Sequence, residues 1–119
     1  MSVDANAPPT LETLAMRLAE FARERDWDQF HSPKNLAMAL AGEVGELLEH
    51  FQWLTETQSR ELPADVRDAV ALEMADVLLY LVRLADKLGI DLAATAERKI
   101  GLNAAKYPAD AVRGSARKY

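Results

Sequence analysis

Two pairs of acidic residues in this sequence have a spacing suited to metal chemistry. Glu43 and Glu46 form the first pair, and Glu73 and Asp76 form the second. Residues three apart in a helix lie on the same side, so each pair places two carboxylates on one helical flank. If the two helices pack antiparallel, four carboxylates meet, and their mutual repulsion requires a cation. A ligand set made only of oxygen atoms favours Mg²⁺, with Mn²⁺ as a substitute.

Other interpretations of these residues remain open. A di-iron centre is the weaker metal hypothesis, because such helical bundles use Glu-x-x-His motifs and neither pair has histidine in the fourth position. A solvated or salt-bridged helix surface is the non-metal alternative. Two pairs on matching flanks of otherwise apolar helices favour a metal site, because an unpaired carboxylate between apolar surfaces is costly.

Four helices are predicted to position the carboxylates, and no segment has the alternating pattern of a strand. Capping residues, an early proline and a terminal glycine define the helix ends. The expected fold is therefore an all-α antiparallel bundle of four main helices in a single domain over residues 1–119. The helices are predicted over Thr10 to about Arg25, Ser32 to about Leu54, about Pro63 to Leu88, and Asp91 to about Lys106.

The segments between and beyond these helices are predicted to be irregular. Residues 26–32 form a loop rich in aromatic side chains, and the polar residues 55–60 end the second helix. Residues 1–9 are expected to be flexible, and residues 108–119 to form an extended basic tail.

The third helix is predicted to have two apolar faces, whereas the second has one. A helix that is apolar on two sides must be covered on both, so we expect the bundle to cover one face and another subunit the other. The stripe on the second helix consists of Leu36, Leu40, Val44, Leu47 and Phe51. The third helix has one stripe of Val70, Met74, Val77, Leu81, Ala85 and Leu88, and a second face of Ala71, Leu72, Ala75, Leu79 and Val82.

Composition excludes several functional classes. The chain has 119 residues, no cysteine and a net charge of -5. It therefore has no disulfide, thiolate metal site or cysteine nucleophile, and we expect a cytoplasmic protein. The acidic balance argues against a nucleic-acid partner, and the longest apolar run is too short for a membrane span. Residues 97–119 nevertheless carry six basic side chains against two acidic ones, which suits an anion held beside a cation.

Several segments together resemble one known family. Gly42-Glu43-Val44-Gly45-Glu46-Leu47 and Glu73-Met74-Ala75-Asp76-Val77-Leu78 resemble the Glu-x-x-Glu and Glu-x-x-Asp signature of MazG-like all-α nucleotide pyrophosphohydrolases. The likeness extends over about residues 10–119. The segments that resemble the dCTP pyrophosphatase branch are Glu24-Arg25-Asp26-Trp27-Asp28-Gln29-Phe30-His31, Phe51-Gln52-Trp53, Asp76-Val77-Leu78-Leu79-Tyr80-Leu81-Val82, and Lys106-Tyr107-Pro108 with Ser115-Ala116-Arg117-Lys118-Tyr119.

The resemblance implies a Mg²⁺-dependent enzyme that converts dCTP and base-modified dCTP to the monophosphate and pyrophosphate. It also implies a homo-oligomer, usually a tetramer built as a dimer of dimers. The implied metal ligands and catalytic groups are Glu43, Glu46, Glu73 and Asp76. The implied substrate contacts are Trp27, His31 and Trp53 around the base and sugar, Tyr80 beside the metal, and Lys99, Asn103, Lys106 and Tyr107 near the triphosphate.

Details of the chemistry stay open at this stage. Glu46 is our candidate for the general base, with Glu49 as an alternative. Leu18 stands where the vertebrate enzyme has a pocket histidine, which leaves the base preference undecided. The alternative functions are a relaxed or dUTP-preferring pyrophosphohydrolase and a non-enzymatic oligomeric scaffold.

Overall fold

The computed structural model describes residues 6–116, and every regular element in that range is helical. The all-α prediction is confirmed. None of the helices within this range is long and apolar enough to cross a membrane. The elements are α1 (Leu11–Glu24), a short 3₁₀ helix (Asp28–Phe30), α2 (Pro33–Glu49), α3 (Glu56–Arg60), α4 (Ala64–Lys87), α5 (Leu92–Lys106) and α6 (Ala109–Val112).

Local sequence explains where the main helices begin and end. The side chains of Thr10, Ser32 and Asp91 each accept a hydrogen bond from a backbone N–H in the first turn of the following helix. These bonds satisfy N–H groups that have no partner within the helix. Pro33 occupies the first position of α2, where its missing N–H costs nothing. Gly89 follows α4 with φ +66, a left-handed conformation that glycine adopts without strain.

Several predictions around the main helices are wrong. Helix α2 ends at Glu49 rather than near Leu54, and residues 50–53 form turns. The polar residues 55–60, predicted to be irregular, contain α3, which begins at a capping box between Thr55 and Gln58. The loop predicted at residues 26–32 contains the 3₁₀ helix. The tail predicted to be extended contains α6 within residues 109–112. The predictions for residues 1–5 and 117–119 lie outside the described residues.

The chain divides into two compact units, Met1–Gly89 and Ile90–Tyr119. In the first unit, α4 packs against both α1 and α2. Helices α2 and α4 run antiparallel, because His31 before α2 contacts Arg83 late in α4, whereas His50 after α2 faces Glu73 early in α4. The second unit contains α5 and α6. The single domain and the complete four-helix bundle stay predictions.

A small core lies within the first unit. Leu36 is the largest fully buried side chain of the described residues. Val44, predicted on the same stripe, is 48% exposed in the single chain, and Met74 and Leu88 of the α4 stripe are also exposed. The buried apolar residues are Ala22, Leu36, Val70, Val82 and Ala85.

Candidate active site

Three of the four predicted metal ligands converge between α2 and α4. Glu43 comes from α2, and Glu73 and Asp76 come from α4. Each offers one carboxylate oxygen, and these oxygens lie within 4.8 Å of one another. The antiparallel packing of α2 and α4 places the two acidic pairs side by side. The three carboxylates form an acidic cluster that a divalent cation could bridge.

The electrostatics of the acidic cluster are unfavourable without a cation. Oε2 of Glu43 and Oε2 of Glu73 are buried and have no hydrogen-bond partner within the described part of the chain. Desolvation, and then the neighbouring carboxylate of Glu46, raise the pKa of both groups. Buried acceptors without partners are rare in native proteins unless an ion or water satisfies them. The donor set therefore fits a hard divalent cation such as Mg²⁺.

Glu46 lies beside the acidic cluster but outside its closest group of oxygens. Its side chain is exposed, yet its nearby carboxylate contributes to the raised pKa of Glu43 and of Glu73. His50 also lies beside the cluster, with Nε2 4.0 Å from Glu73 Oε1. Glu46 is thus close enough to serve as a fourth ligand or to hold a proton beside the cluster.

A pocket of about 500 Å³ opens beside Asp76. Trp27, His31 and Tyr80 line it, and these are three of the predicted substrate contacts. Because Asp76 belongs to both the acidic cluster and the pocket wall, a molecule in the pocket can reach a cation held by the cluster. The rest of the lining is mainly apolar and consists of Leu14, Leu18, Phe21, Leu36 and Leu79, with Arg17 and Arg83.

The end of α1 positions Trp27 at the pocket. Asp26 adopts φ 55, a left-handed conformation that aspartate tolerates better than most residues, and this reverses the chain. The N–H of Trp27 then donates to the carbonyl of Ala22 over 2.8 Å. The indole packs edge-on against Phe21, with 5.7 Å between ring centroids. Trp27 stays partly exposed, so one part of the ring is available to a ligand.

A network of charged side chains at the pocket was missed by the sequence analysis. Arg83 is buried at 5% exposure and donates to Asp28, His31 and Asp86. Lys87 Nζ also donates a hydrogen bond to Asp28 Oδ1 over 2.5 Å. This bond lowers the pKa of Asp28, although desolvation acts in the opposite direction. The signal was present, because Arg83 and Lys87 follow Asp76 and Tyr80 at helical spacing on one flank of α4.

Trp53 is not among the residues that line this pocket. Trp53 lies in the turn after α2 and is 86% exposed, because α2 ends before it. Its predicted place on the acidic flank of a continuing helix is therefore wrong. The contacts predicted on the fourth helix belong to the second unit: Lys99, Asn103 and Lys106 lie on α5 and Tyr107 ends it. Glu49, at the end of α2, is exposed as expected.

Residues 39–119 match the model of the MazG-like family, and this segment contains all four predicted carboxylate ligands. The chain belongs to the MazG-like family. The predicted family membership is confirmed.

Relatives of this MazG-like chain carry names that describe an activity. Proteins named dCTP pyrophosphatase 1 from Homo sapiens and Mus musculus are each 49% identical to it over 113 residues. The matched region covers 93% of this chain but 66% of the human or mouse protein, so the chain spans about two thirds of their length. A crystal structure of a pyrophosphatase from Archaeoglobus fulgidus has a TM-score of 0.78 and 37% sequence identity, covering 89% of this chain and 99% of that one.

Proposed function

We propose that this MazG-like chain is a nucleotide pyrophosphohydrolase that converts dCTP and base-modified dCTP to the monophosphate and pyrophosphate. The observation that carries the proposal is the position of Asp76, which joins an acidic cluster suited to Mg²⁺ or Mn²⁺ to a pocket lined by Trp27, His31 and Tyr80. The names of the human and mouse relatives support dCTP as the substrate.

The proposed ligands of Mg²⁺ are Glu43, Glu46, Glu73 and Asp76. When bound, such a cation neutralises negative charge on a triphosphate and orients it. Glu46 is the proposed general base, because its exposed carboxylate beside the cluster can accept a proton from an attacking water. One Oε atom would take that proton as the water oxygen bonds to the α-phosphorus, and pyrophosphate would leave with the electrons of the broken P–O bond.

The pocket residues have a separate role in this proposal. Trp27 and Tyr80 provide aromatic surface for the base and sugar, and His31 provides a polar group between them. Stacking of a base on an aromatic side chain is worth about 1–3 kcal/mol. Lys99, Asn103, Lys106 and Tyr107 are proposed to meet the triphosphate. The cytoplasm is the proposed compartment, favoured by a cysteine-free sequence, and cell fractionation tests it.

Calorimetry separates this enzyme from a helical scaffold. The enzyme is expected to bind a non-hydrolysable analogue of dCTP only when Mg²⁺ is present, whereas a scaffold would show no metal-dependent nucleotide binding. A panel of canonical and 5-substituted deoxynucleoside triphosphates, assayed for pyrophosphate release, then tests the substrate class. A preference for dUTP, or equal rates with all bases, would contradict the dCTP assignment while leaving the reaction type standing.

Trp53 does not line the pocket within the single chain, so its proposed role is to contact the base at a site completed by a second copy of the chain. Replacing Trp53 with alanine is then expected to weaken nucleotide affinity about tenfold, in line with the loss of one stacked base. The melting temperature is expected to change little, because the indole is exposed in the single chain. Gln52→Ala, an exposed change in the same turn, is the matched control. A large fall in melting temperature with unchanged affinity would show that Trp53 is a packing residue.

We also propose that a second copy of the chain covers the exposed apolar face of α2 and α4, as the first step towards a tetramer built as a dimer of dimers. Leu72 on α4 is 64% exposed, and Met38, Leu48 and Met74 are exposed as well. Exposed apolar side chains on neighbouring helices favour an interface. Sedimentation velocity is expected to show an oligomer that Leu72→Asp dissociates. A monomer at every protein concentration would contradict this proposal.

A further inference from the structure

Arg83 is the only polar or charged residue that is buried among residues 6–116. Its guanidinium donates from Nη2 to Asp28 Oδ1 over 2.6 Å, from Nη1 to Asp86 Oδ2 over 3.4 Å, and from Nε to His31 Nδ1 over 3.2 Å. A buried charge is tolerated only when it is paired and hydrogen-bonded. The two carboxylates therefore fix the guanidinium in place, and its third bond is directed at a pocket residue.

The bond from Arg83 determines where the proton of His31 lies. A guanidinium has N–H donors and no acceptor, and it stays protonated at any ordinary pH. Nδ1 of His31 must therefore accept through its lone pair, which places the ring proton of neutral histidine on Nε2. A doubly protonated ring would direct its Nδ1–H at the Nε–H of Arg83, and the two donors would repel each other.

The charges around His31 agree with a neutral ring. Lys87 from α4 adds a second cation, and Asp28 from the 3₁₀ helix opposes the two cations. Arg17 from α1 and Asp76 and Tyr80 from α4 line the same pocket. Burial, followed by the charges of Arg83 and Lys87, lowers the pKa of His31. Within the described part of the chain, Nε2 of His31 has no hydrogen-bond partner and so remains available to a ligand.

We propose that Arg83 is a positioning residue that holds His31 as the neutral Nε2–H tautomer, so that the pocket wall presents a fixed hydrogen-bond donor. Such a donor selects a ligand with an acceptor at that edge, as a carbonyl oxygen of a pyrimidine base provides. A donor whose proton position is fixed in advance discriminates better than a ring that exchanges tautomers. The ligand class rests on the proposed function, whereas the tautomer does not.

Nitrogen NMR of the full chain tests the tautomer directly. The chain has two histidines, so long-range ¹H–¹⁵N spectra contain two imidazole rings, and His31→Gln assigns them. The wild-type spectrum is expected to show protonated Nε2 and unprotonated Nδ1 for His31, and a ring that stays neutral below pH 6.5, the usual pKa of histidine. An Nδ1–H tautomer of His31, or a charged ring at neutral pH, in the wild-type protein would overturn the inference.

Arg83→Met and Lys87→Met form a matched pair of variants. Each removes one cation that contacts Asp28, but only Arg83→Met removes the donor to His31. Lys87→Met is expected to keep the Nε2–H tautomer, whereas Arg83→Met is expected to give a mixture of tautomers and a higher titration midpoint for His31. A folded Arg83→Met protein with the wild-type spectrum would contradict the inference. If Arg83→Met does not fold, the wild-type spectrum still decides.

Steady-state kinetics with dCTP tests the selective role. Arg83→Met is expected to raise KM by the factor by which the population of the Nε2–H tautomer falls, about twofold for an equal mixture of tautomers, and to leave kcat nearly unchanged. An unchanged KM would overturn the role in ligand selection. Absence of turnover in the wild-type protein would instead contradict the proposed function, and the NMR result for the tautomer would be unaffected.

Discussion

Replacing Glu73 with glutamine is expected to abolish pyrophosphate release and to raise the melting temperature of the metal-free protein. Glu73 has a buried oxygen without a hydrogen-bond partner and lies among Glu43, Glu46 and Asp76. Removing its charge relieves repulsion between the carboxylates, so the fold gains stability. The same change removes a proposed metal ligand, so the rate is expected to fall by more than about 10²-fold. A site that destabilises the fold while it serves function is typical of enzymes.

The stability gain of Glu73→Gln is expected to depend on pH. The pKa of Glu73 is raised in the folded state, so the charged form is disfavoured there relative to the unfolded chain. At a pH above the raised pKa the wild-type fold carries the full penalty, and the variant gains most. As the pH falls through that pKa the wild-type carboxyl takes up a proton, the repulsion disappears and the gain shrinks.

Glu61→Gln is the matched control for this experiment. It removes one negative charge from an exposed residue after α3, away from the acidic cluster. Circular dichroism in EDTA measures melting, and pyrophosphate release in Mg²⁺ measures activity. Retained activity in Glu73→Gln would contradict the metal assignment. An equal rise in melting temperature in both variants would show that the gain comes from net charge alone.

Leu36→Ala is expected to destabilise the protein by about 3 kcal/mol, as for other large-to-small changes in a core. Leu36 is 1% exposed and also lines the pocket beside His31 and Tyr80. The substitution leaves a cavity in a core that has few other buried side chains, so neighbouring residues cannot readily fill it. Because the cavity adjoins the pocket, nucleotide affinity is also expected to fall.

Urea unfolding at one fixed protein concentration measures this effect, since an oligomer makes stability depend on concentration. Lys34→Ala, an exposed change in the first turn of the same helix, is the control, and we expect it to stay within about 0.5 kcal/mol of wild type. A loss below about 1 kcal/mol for Leu36→Ala would show that α2 is not anchored through this residue.

The acidic cluster could be predicted from the sequence because its geometry is local. Helical spacing fixes the flank of Glu43 and of Glu73, and caps at Ser32 and Gly89 fix the helices that carry them. If these two helices are assumed to pack antiparallel, the two acidic flanks meet. The structure places Glu43, Glu73 and Asp76 as that argument requires.

Other features depend on information that helical spacing does not contain. Trp53 was assigned to a helix flank, but α2 ends at Glu49, so helical spacing no longer applies at position 53. Val44 shares a stripe with Leu36 and is still half exposed, because burial depends on which helices cover each part of the stripe. Helical spacing places Arg83 on the flank of Asp76 and Tyr80. Its bonds to Asp28 and His31, however, join residues more than 50 positions apart, which the spacing does not reveal.

Product analysis by ³¹P NMR tests the central claim, that the acidic cluster and its adjoining pocket hydrolyse a nucleoside triphosphate between the α- and β-phosphates. The full chain is incubated with dCTP in Mg²⁺, in EDTA, and as Glu73→Gln in Mg²⁺. We expect equal amounts of dCMP and pyrophosphate in the first sample alone. Inorganic phosphate with dCDP, undiminished turnover in EDTA, or no turnover by the wild-type chain would contradict the account.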